Sequence, residues 1–270
     1  MSLIIVNKEL FNEEDEIWLN RYMSYNTFKE YFLDSNGINI SLSRIDSFPD
    51  GLEGWNPKIK NIQVAINFMA QFYNRVIEDG GEIVSNKCLL KEMIKGTSNS
   101  LFDEELVESN INEREKSLAS CWFASKNKED ENRVMWKLYG NRKEKLGVKI
   151  AIKWLDLKLV LENHKDLFYA GFIDYHGDLE DNYMFKKEIS YEHENEFRIL
   201  KINEDKKVRL PLFIDYNALS KVHVCVDNSY KNKSILDFLA KFNFTQENEK
   251  KSYSISKLIP EFKKSKKHEK

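Results

Sequence analysis

The feature that most constrains this chain is a run of charge leading into an apolar strand: Lys186-Lys187-Glu188-Ile189-Ser190-Tyr191-Glu192-His193-Glu194-Asn195-Glu196-Phe197-Arg198-Ile199-Leu200. Successive side chains of an extended chain alternate between two faces, so Glu192, Glu194, Glu196 and Arg198 are expected to line one face about 7 Å apart. Carboxylates this close raise one another's pKa unless a cation or metal intervenes. The segment therefore either follows a solvated edge or holds something. His193 falls on the opposite face and reads as structural, and His176 and His223 stand alone and read as satisfied surface or core groups.

The remaining composition bounds what such a segment can belong to. With 270 residues, 41% hydrophobic and 13% aromatic, the chain can bury the core of one large domain. A net charge of −2 with 32% charged residues means interspersed signs, so no global field draws the protein onto nucleic acid or an anionic membrane. Cys88, Cys121 and Cys225 are widely spaced without a C-x-x-C pair, which argues against a disulfide framework and a zinc site and fits a reducing cytoplasm. The opening Met1–Val6 run is too short for a signal peptide, and no stretch of about 18 apolar residues is present to span a membrane. G-x-G-x-x-G, G-x-x-x-x-G-K-[ST] and H-E-x-x-H are all missing, so Rossmann, P-loop and zincin chemistries lack their physical signature.

Taken in order, the chain reads as a short strand at residues 3–6, an acidic helix over residues 13–23, and a strand at residues 39–44 that exits into a turn-rich loop from Arg44 to Trp55. A helix over residues 60–79 follows from Ile62, Ala65, Ile66, Met69, Phe72, Tyr73 and Val76, with Gly80-Gly81 ending it. Residues 82–117 read as a helical, variable insertion. Ser117–Ser125 reads as a strand studded with hydroxyls; Asp130 or Asn132 caps a short helix closed by Gly140. Residues 147–152 alternate as a half-exposed strand, residues 168–175 form another with an acidic loop to Asp181, and residues 221–226 form a strand whose exit caps a helix bearing Ile235, Phe238, Leu239 and Phe242. Strands and helices mix without a βαβ rhythm, which predicts α+β: a single domain over residues 1–250 with a mixed or mostly antiparallel sheet flanked by helices. Residues 251–270 are expected to be a C-terminal extension with a lysine-rich, disordered tail.

Five blocks also carry a resemblance. Ser43-Arg44-Ile45-Asp46-Ser47-Phe48-Pro49-Asp50, Ser120-Cys121-Trp122-Phe123, Met135-Trp136-Lys137-Leu138-Tyr139, Gly147-Val148-Lys149-Ile150 and Tyr191-Glu192-His193-Glu194-Asn195-Glu196-Phe197-Arg198 resemble, in order, the bacterial domain of unknown function 2971. The resemblance covers roughly residues 10–250. It departs from the family pattern at Pro49, where the family has Asn, and at Tyr191, where it has Trp.

By motif order alone, an arginine closing one strand, a hydroxyl-bearing second strand and a Glu-x-Glu on a later one also resemble the arginine-serine-glutamate class of ADP-ribosyltransferases. That resemblance implies NAD as co-substrate and a protein or nucleic-acid acceptor. Breaking the nicotinamide glycosidic bond passes through an oxocarbenium-like state that a carboxylate stabilises. Glu196 would then hold the ribose, Glu194 would position or deprotonate the acceptor, Arg44 would pair with a phosphate, and Ser120 would orient the ribose. Arg198 completes the charged strand, while Trp122, Trp136 and Tyr139 would wall the pocket. Beside these roles stand plainer ones: an Arg44–Asp46 ion pair, a tolerated core hydroxyl at Ser120, and Trp122 and Trp136 as core.

Two alternatives use the same residues. A metal-dependent nuclease would gather Asp174, Asp178, Glu192 and Glu194 on a divalent cation with Lys187 near the phosphate, although no spacing demands a metal. A non-enzymatic binding or sensing module of a toxin–antitoxin or anti-phage cassette, with an antitoxin or other cassette partner, would use the aromatic pocket alone.

Overall fold

A ten-stranded mixed sheet organises the computed structural model of this protein, which describes residues 2–10, 16–32, 34–48, 53–54, 104–140, 146–176, 183–227, 233–246 and 248–258. The strands are β1 (Leu3–Val6), β2 (Trp18–Ser24), β3 (Gly37–Arg44), β4 (Ser117–Ser125), β5 (Gly147–Lys153), β6 (Phe168–Phe172), β7 (Glu196–Ile202), β8 (Arg209–Asp215), β9 (Val222–Val226) and β10 (Lys251–Ile255). They run in the order β1-β6-β7-β4-β2-β5-β9-β10, with β3 branching from β4 and β8 pairing β3. The outer pairs β1–β6 and β9–β10 are parallel, and the pairs between them are antiparallel. The α+β architecture with a mostly antiparallel sheet is as expected from the sequence.

The nine-residue β4 is the shared element. It pairs along its length with β7, while its other edge pairs with β3 at Leu118 and Ala119 and with β2 from Phe123 to Ser125. Opposed residues of an antiparallel pair place their side chains on the same face, so the registers sort the sheet into two surfaces. One is apolar: Leu19, Trp122, Phe197, Ile199, Val148, Ile150 and Val224 pack with Trp154, Leu157 and Leu161 of helix α2 (Trp154–Glu162) and Ile235 and Leu239 of helix α3 (Lys233–Ala240). The other mixes small apolar clusters around Ala119 and Leu200 and around Tyr22 and Trp136 with the buried polar groups Glu196, Arg198, Asn20, Lys149, His223 and Ser252. Helix α1 (Glu104–Lys116) and the turns Ile45–Ser47 and Arg133–Met135 contribute to the layer on that side.

Several expectations change. The acidic helix expected over residues 13–23 gives way to β2 from Trp18 onward, residues 13–15 lying outside the described residues, because Trp18, Leu19, Tyr22 and Met23 bury both faces of a central strand, and burial on two sides defeats a one-stripe helical reading. The strand at residues 147–152 is buried throughout rather than half-exposed, since even Lys149 is covered. The domain does not stop at residue 250: Lys251–Ile255 forms β10 on β9. The insertion is helical where it is described, at Glu104–Lys116, while Ser117 already belongs to β4. Asn132 does cap its short helix, accepting from the N–H groups of Val134 and Met135, and the chain continues through a wider turn to Gly140. The helix at residues 60–79, Cys88, Asp178 and the lysine-rich tail lie outside the described residues. No helix among the described residues is long and apolar enough to cross a membrane.

The β1–β6 contact offers a sharp test of this architecture. A Cβ placed on Gly171 would stand 2.2 Å from the carbonyl oxygen of Val6, its parallel partner. Gly171→Ala is therefore expected to prise β1 from the sheet at a cost of about 1–3 kcal/mol, read as a Tm lowered by several degrees in thermal melts.

Candidate functional site

The charged stretch folds differently from an extended ribbon, and the difference creates its geometry. Ile189–Glu194 winds into a 3-10 helix, Asn195 takes the left-handed conformation at φ 38°, and only from Glu196 does the strand begin. Asn is one of the few side chains that tolerate this region. Here its amide donates to the carbonyl of Ala124 at 2.7 Å, locking the bend against β4. The bend brings Glu194 and Glu196 onto one cation instead of spacing them along a face.

That cation is Lys187. Its ammonium donates to Glu194 Oε2 at 2.5 Å and to Glu196 Oε2 at 3.3 Å, and lies 4.6 Å from the centre of the Tyr191 ring. Glu196 Oε1 accepts from Arg198 Nε at 2.8 Å, and the same guanidinium donates to Glu53 and, at 2.6 Å, to the carbonyl of Met184. Tyr139 donates its hydroxyl to Glu194 Oε1 at 2.9 Å. Burial alone would push the Glu196 carboxyl up, but Arg198 and Lys187 outweigh it and hold it down at about 2. Burial also works against the charge of Lys187, yet Glu196, Glu53 and Glu194 raise its pKa.

Glu53, Cys121 and Glu196 bring ligand-type atoms within 4.8 Å of one another. The donor set does not suit a metal: Arg198 already occupies both carboxylates, and poor solvation with Glu196 alongside pushes the Cys121 thiol up, away from the thiolate that ligation needs. Of the four carboxylates expected to hold a divalent ion, Asp178 lies outside the described residues and the other three do not converge. Asp174 accepts from the His176 N–H, Glu192 is exposed and pairs with the His176 ring, and Glu194 is engaged by Lys187.

Of the residues read as one site, the structure brings together Glu194, Glu196, Arg198 and Tyr139. Arg44 is elsewhere: it stands opposite Leu118, five positions along β4 from the Phe123 that faces Glu196, and pairs with Asp46 at 2.6 Å. At about 3.4 Å per residue that is roughly 17 Å along the sheet. Ser120 and Trp122 face Ile199 and Phe197, so both lie on the apolar side, opposite Glu196 and Arg198. Ser120 accepts there from Arg21 and from Trp122 Nε1, and Trp122 is core. Trp136 is buried against Tyr22 at 5.1 Å between ring centres and donates to Glu131 at 2.9 Å.

The same polar face holds a second locus at its other end. An open cleft of about 360 Å³ is lined by Lys128, Lys221, His223, Asn248, Ser252 and Ser254, among others. His223 is 2% exposed, with Nδ1 at 2.8 Å from Ser252 Oγ and Nε2 at 2.9 Å from Ser254 Oγ. Beneath it Lys149, fully buried, donates to the carbonyls of Lys128 and Asp130 at 2.7 and 2.6 Å, pinning the Lys128–Asp130 turn at the rim. Burial, then Lys128 and Lys149, push the imidazole down to about 3, so His223 is neutral. Sequence reasoning set His223 aside as a lone histidine. Its signal was the alternation of Val222-His223-Val224-Cys225-Val226 and of Ser252-Tyr253-Ser254-Ile255, which aims polar side chains at one face of two neighbouring strands.

Compared with protein-family models, with curated proteins and with solved structures, the chain matches none. The likeness to the domain of unknown function 2971 rests on its motifs alone.

Two stability tests follow. Arg198→Met leaves Glu53 and Glu196 buried without their shared cation and is expected to cost about 3–5 kcal/mol in denaturant unfolding. In the unfolded chain His223 titrates near 6.5, so between about pH 6.5 and 3 the unfolded state binds the extra proton. Stability is expected to fall by up to about 1.4 kcal/mol per pH unit over that window, and His223→Gln should flatten this limb.

Proposed function

We propose that this chain is a small-molecule binding protein whose ligand enters the cleft along β9 and β10, and that the Arg198 network is the frame of the polar face. The observation that carries this reading is the convergence of Lys128, Lys221, Asn248 and the His223–Ser252–Ser254 trio on one open cleft of about 360 Å³. That volume falls in the range of small-molecule sites, and a few convergent polar groups on a fixed scaffold are what orient a ligand. The frame supplies the rigidity: Glu194, Glu196 and Lys187 are nearly inaccessible and already satisfied by one another.

The transferase reading asks one pocket to hold Arg44, Ser120 and Glu196, which here occupy one end of the sheet, its apolar side and its polar side. The nuclease reading asks carboxylates to be open to a cation, and Lys187 and Arg198 take that place. Neither draws support from the geometry that supports binding.

Amide spectra recorded against a small-molecule library are expected to show shifts at residues 221–225 and 252–255 with none at 194–198. Incubation with labelled NAD and cell lysate is expected to leave no label. Label transfer that disappears in Glu196→Gln would replace binding by ADP-ribosyl transfer.

A further inference from the structure

The His223 trio has a property that follows from counting hydrogens. A neutral imidazole has one N–H donor and one bare nitrogen, and a hydroxyl has one hydrogen. Both ring nitrogens lie within hydrogen-bond distance of a serine oxygen. One serine must therefore spend its hydrogen on the ring, while the other accepts from the ring and turns its hydrogen outward. A second proton on His223 makes both nitrogens donors, so both hydroxyls accept from the ring and both hydrogens become available to a ligand. Protonation thus adds a positive charge and a second O–H donor to the same cleft.

The surroundings decide what would draw that proton. Lys128 and Lys221 line the cleft and Lys149 lies beneath it, and all three act on the ring. Glu129 lines the cleft as well, pairing with Lys128 at 2.8 Å and standing 3.7 Å from Lys257, so an anion meets Lys128 by sharing it with Glu129. Asp130 accepts from the Asn127 N–H at 3.0 Å, Glu131 accepts from Trp136 and from the Lys257 N–H at 2.9 and 3.0 Å, and Glu249 stands at the rim. Cys225, on the same face of β9, is held protonated, its thiol pushed up to about 11 by burial and by Glu131. Cationic groups press on the ring against acids mostly committed elsewhere, so an empty cleft disfavours the second proton and an anion restores it.

We propose that this cleft is an oxyanion site that takes the phosphate or carboxylate group of a small molecule between Lys128 and Lys221, with Ser252 and Ser254 as hydroxyl donors set by His223. The proposal rests on the cleft being the ligand site. It adds that binding takes up a proton, so affinity rises as pH falls from 6.5 toward 4.5.

The test uses sulfate as a tetrahedral oxyanion, trifluoroacetate as a carboxylate and ribose as a neutral control; neither anion titrates in this range. Binding to the full chain is followed by amide shifts and calorimetry. Sulfate or trifluoroacetate is expected to bind, more tightly by severalfold and at most tenfold per unit fall in pH. The stronger of the two identifies the phosphate or the carboxylate source. Lys221→Gln or Lys128→Gln should weaken binding about tenfold. His223→Gln should bind with no pH dependence. Ribose binding without either anion would overturn the oxyanion proposal while keeping the cleft as a ligand site. Failure of every probe and of the wider library would overturn both. Anion binding unchanged in Lys128→Gln, Lys221→Gln and His223→Gln would also overturn the proposal, and Lys221, at the start of β9, is replaceable without touching the core.

Discussion

The structure depends on one guanidinium. Arg198, with no exposed surface, bridges Glu196 on its own strand and Glu53 from a turn far away in sequence. Removing a charge from water costs several kcal/mol, and a close, multiply hydrogen-bonded partner is what repays it. Here Arg198 also donates to the Met184 carbonyl, and Lys187 completes the screening of Glu196. The interaction fixes where the Glu53–Gly54 turn and the Tyr183–Phe185 turn sit on the sheet. Arg114 adds a donor to the Glu53 carbonyl from α1.

From that anchor the two faces of the sheet diverge. On one face Trp122, Phe197 and Ile199 join the main apolar core and close over with α2 and α3. On the other, β7, β2, β5, β9 and β10 carry buried polar groups, from Glu196 and Arg198 through Asn20, Lys149 and His223 to Ser252. At the Arg198 end the carboxylates of Glu53, Glu194 and Glu196 are met by Arg198 and Lys187. At the His223 end the partners are neutral hydroxyls and backbone carbonyls, and the cleft stays open. The two ends share a surface and differ in how their charges are met. In the reading proposed above, that difference separates a frame from a site.

Much of the strand content was legible from alternation. Ser117–Ser125 and residues 39–44 and 221–226 emerge close to their expected bounds, because one polar–apolar period of two has few other readings. Trp18–Ser24 was not legible, since a strand buried on both faces loses its period. The Glu-x-Glu-x-Arg stretch drew attention to the correct residues but to the wrong geometry: a single left-handed Asn195 turns alternation into convergence, and Lys187, seven residues ahead of Glu194, becomes the shared partner. Glu53 could not be inferred, because its meeting with Arg198 is set by topology across 145 residues. Ser120 and Trp122 show the converse limit. They neighbour Cys121 in sequence, yet strand parity places them on the opposite side of the sheet from Glu196.

The claim at the centre of this account is that the buried charges are scaffold and the open cleft is where ligand meets protein. Replacing Arg198 by Met together with Glu53 and Glu196 by Leu removes the guanidinium with both of its carboxylates and leaves Lys187 paired with Glu194, an exchange of the kind that buried ion clusters often tolerate. Sulfate affinity measured on that triple variant is expected to match the parent, with the fold intact by amide spectra. A folded triple variant that no longer binds, or that binds through shifts gathered around residues 187–198, would contradict the account.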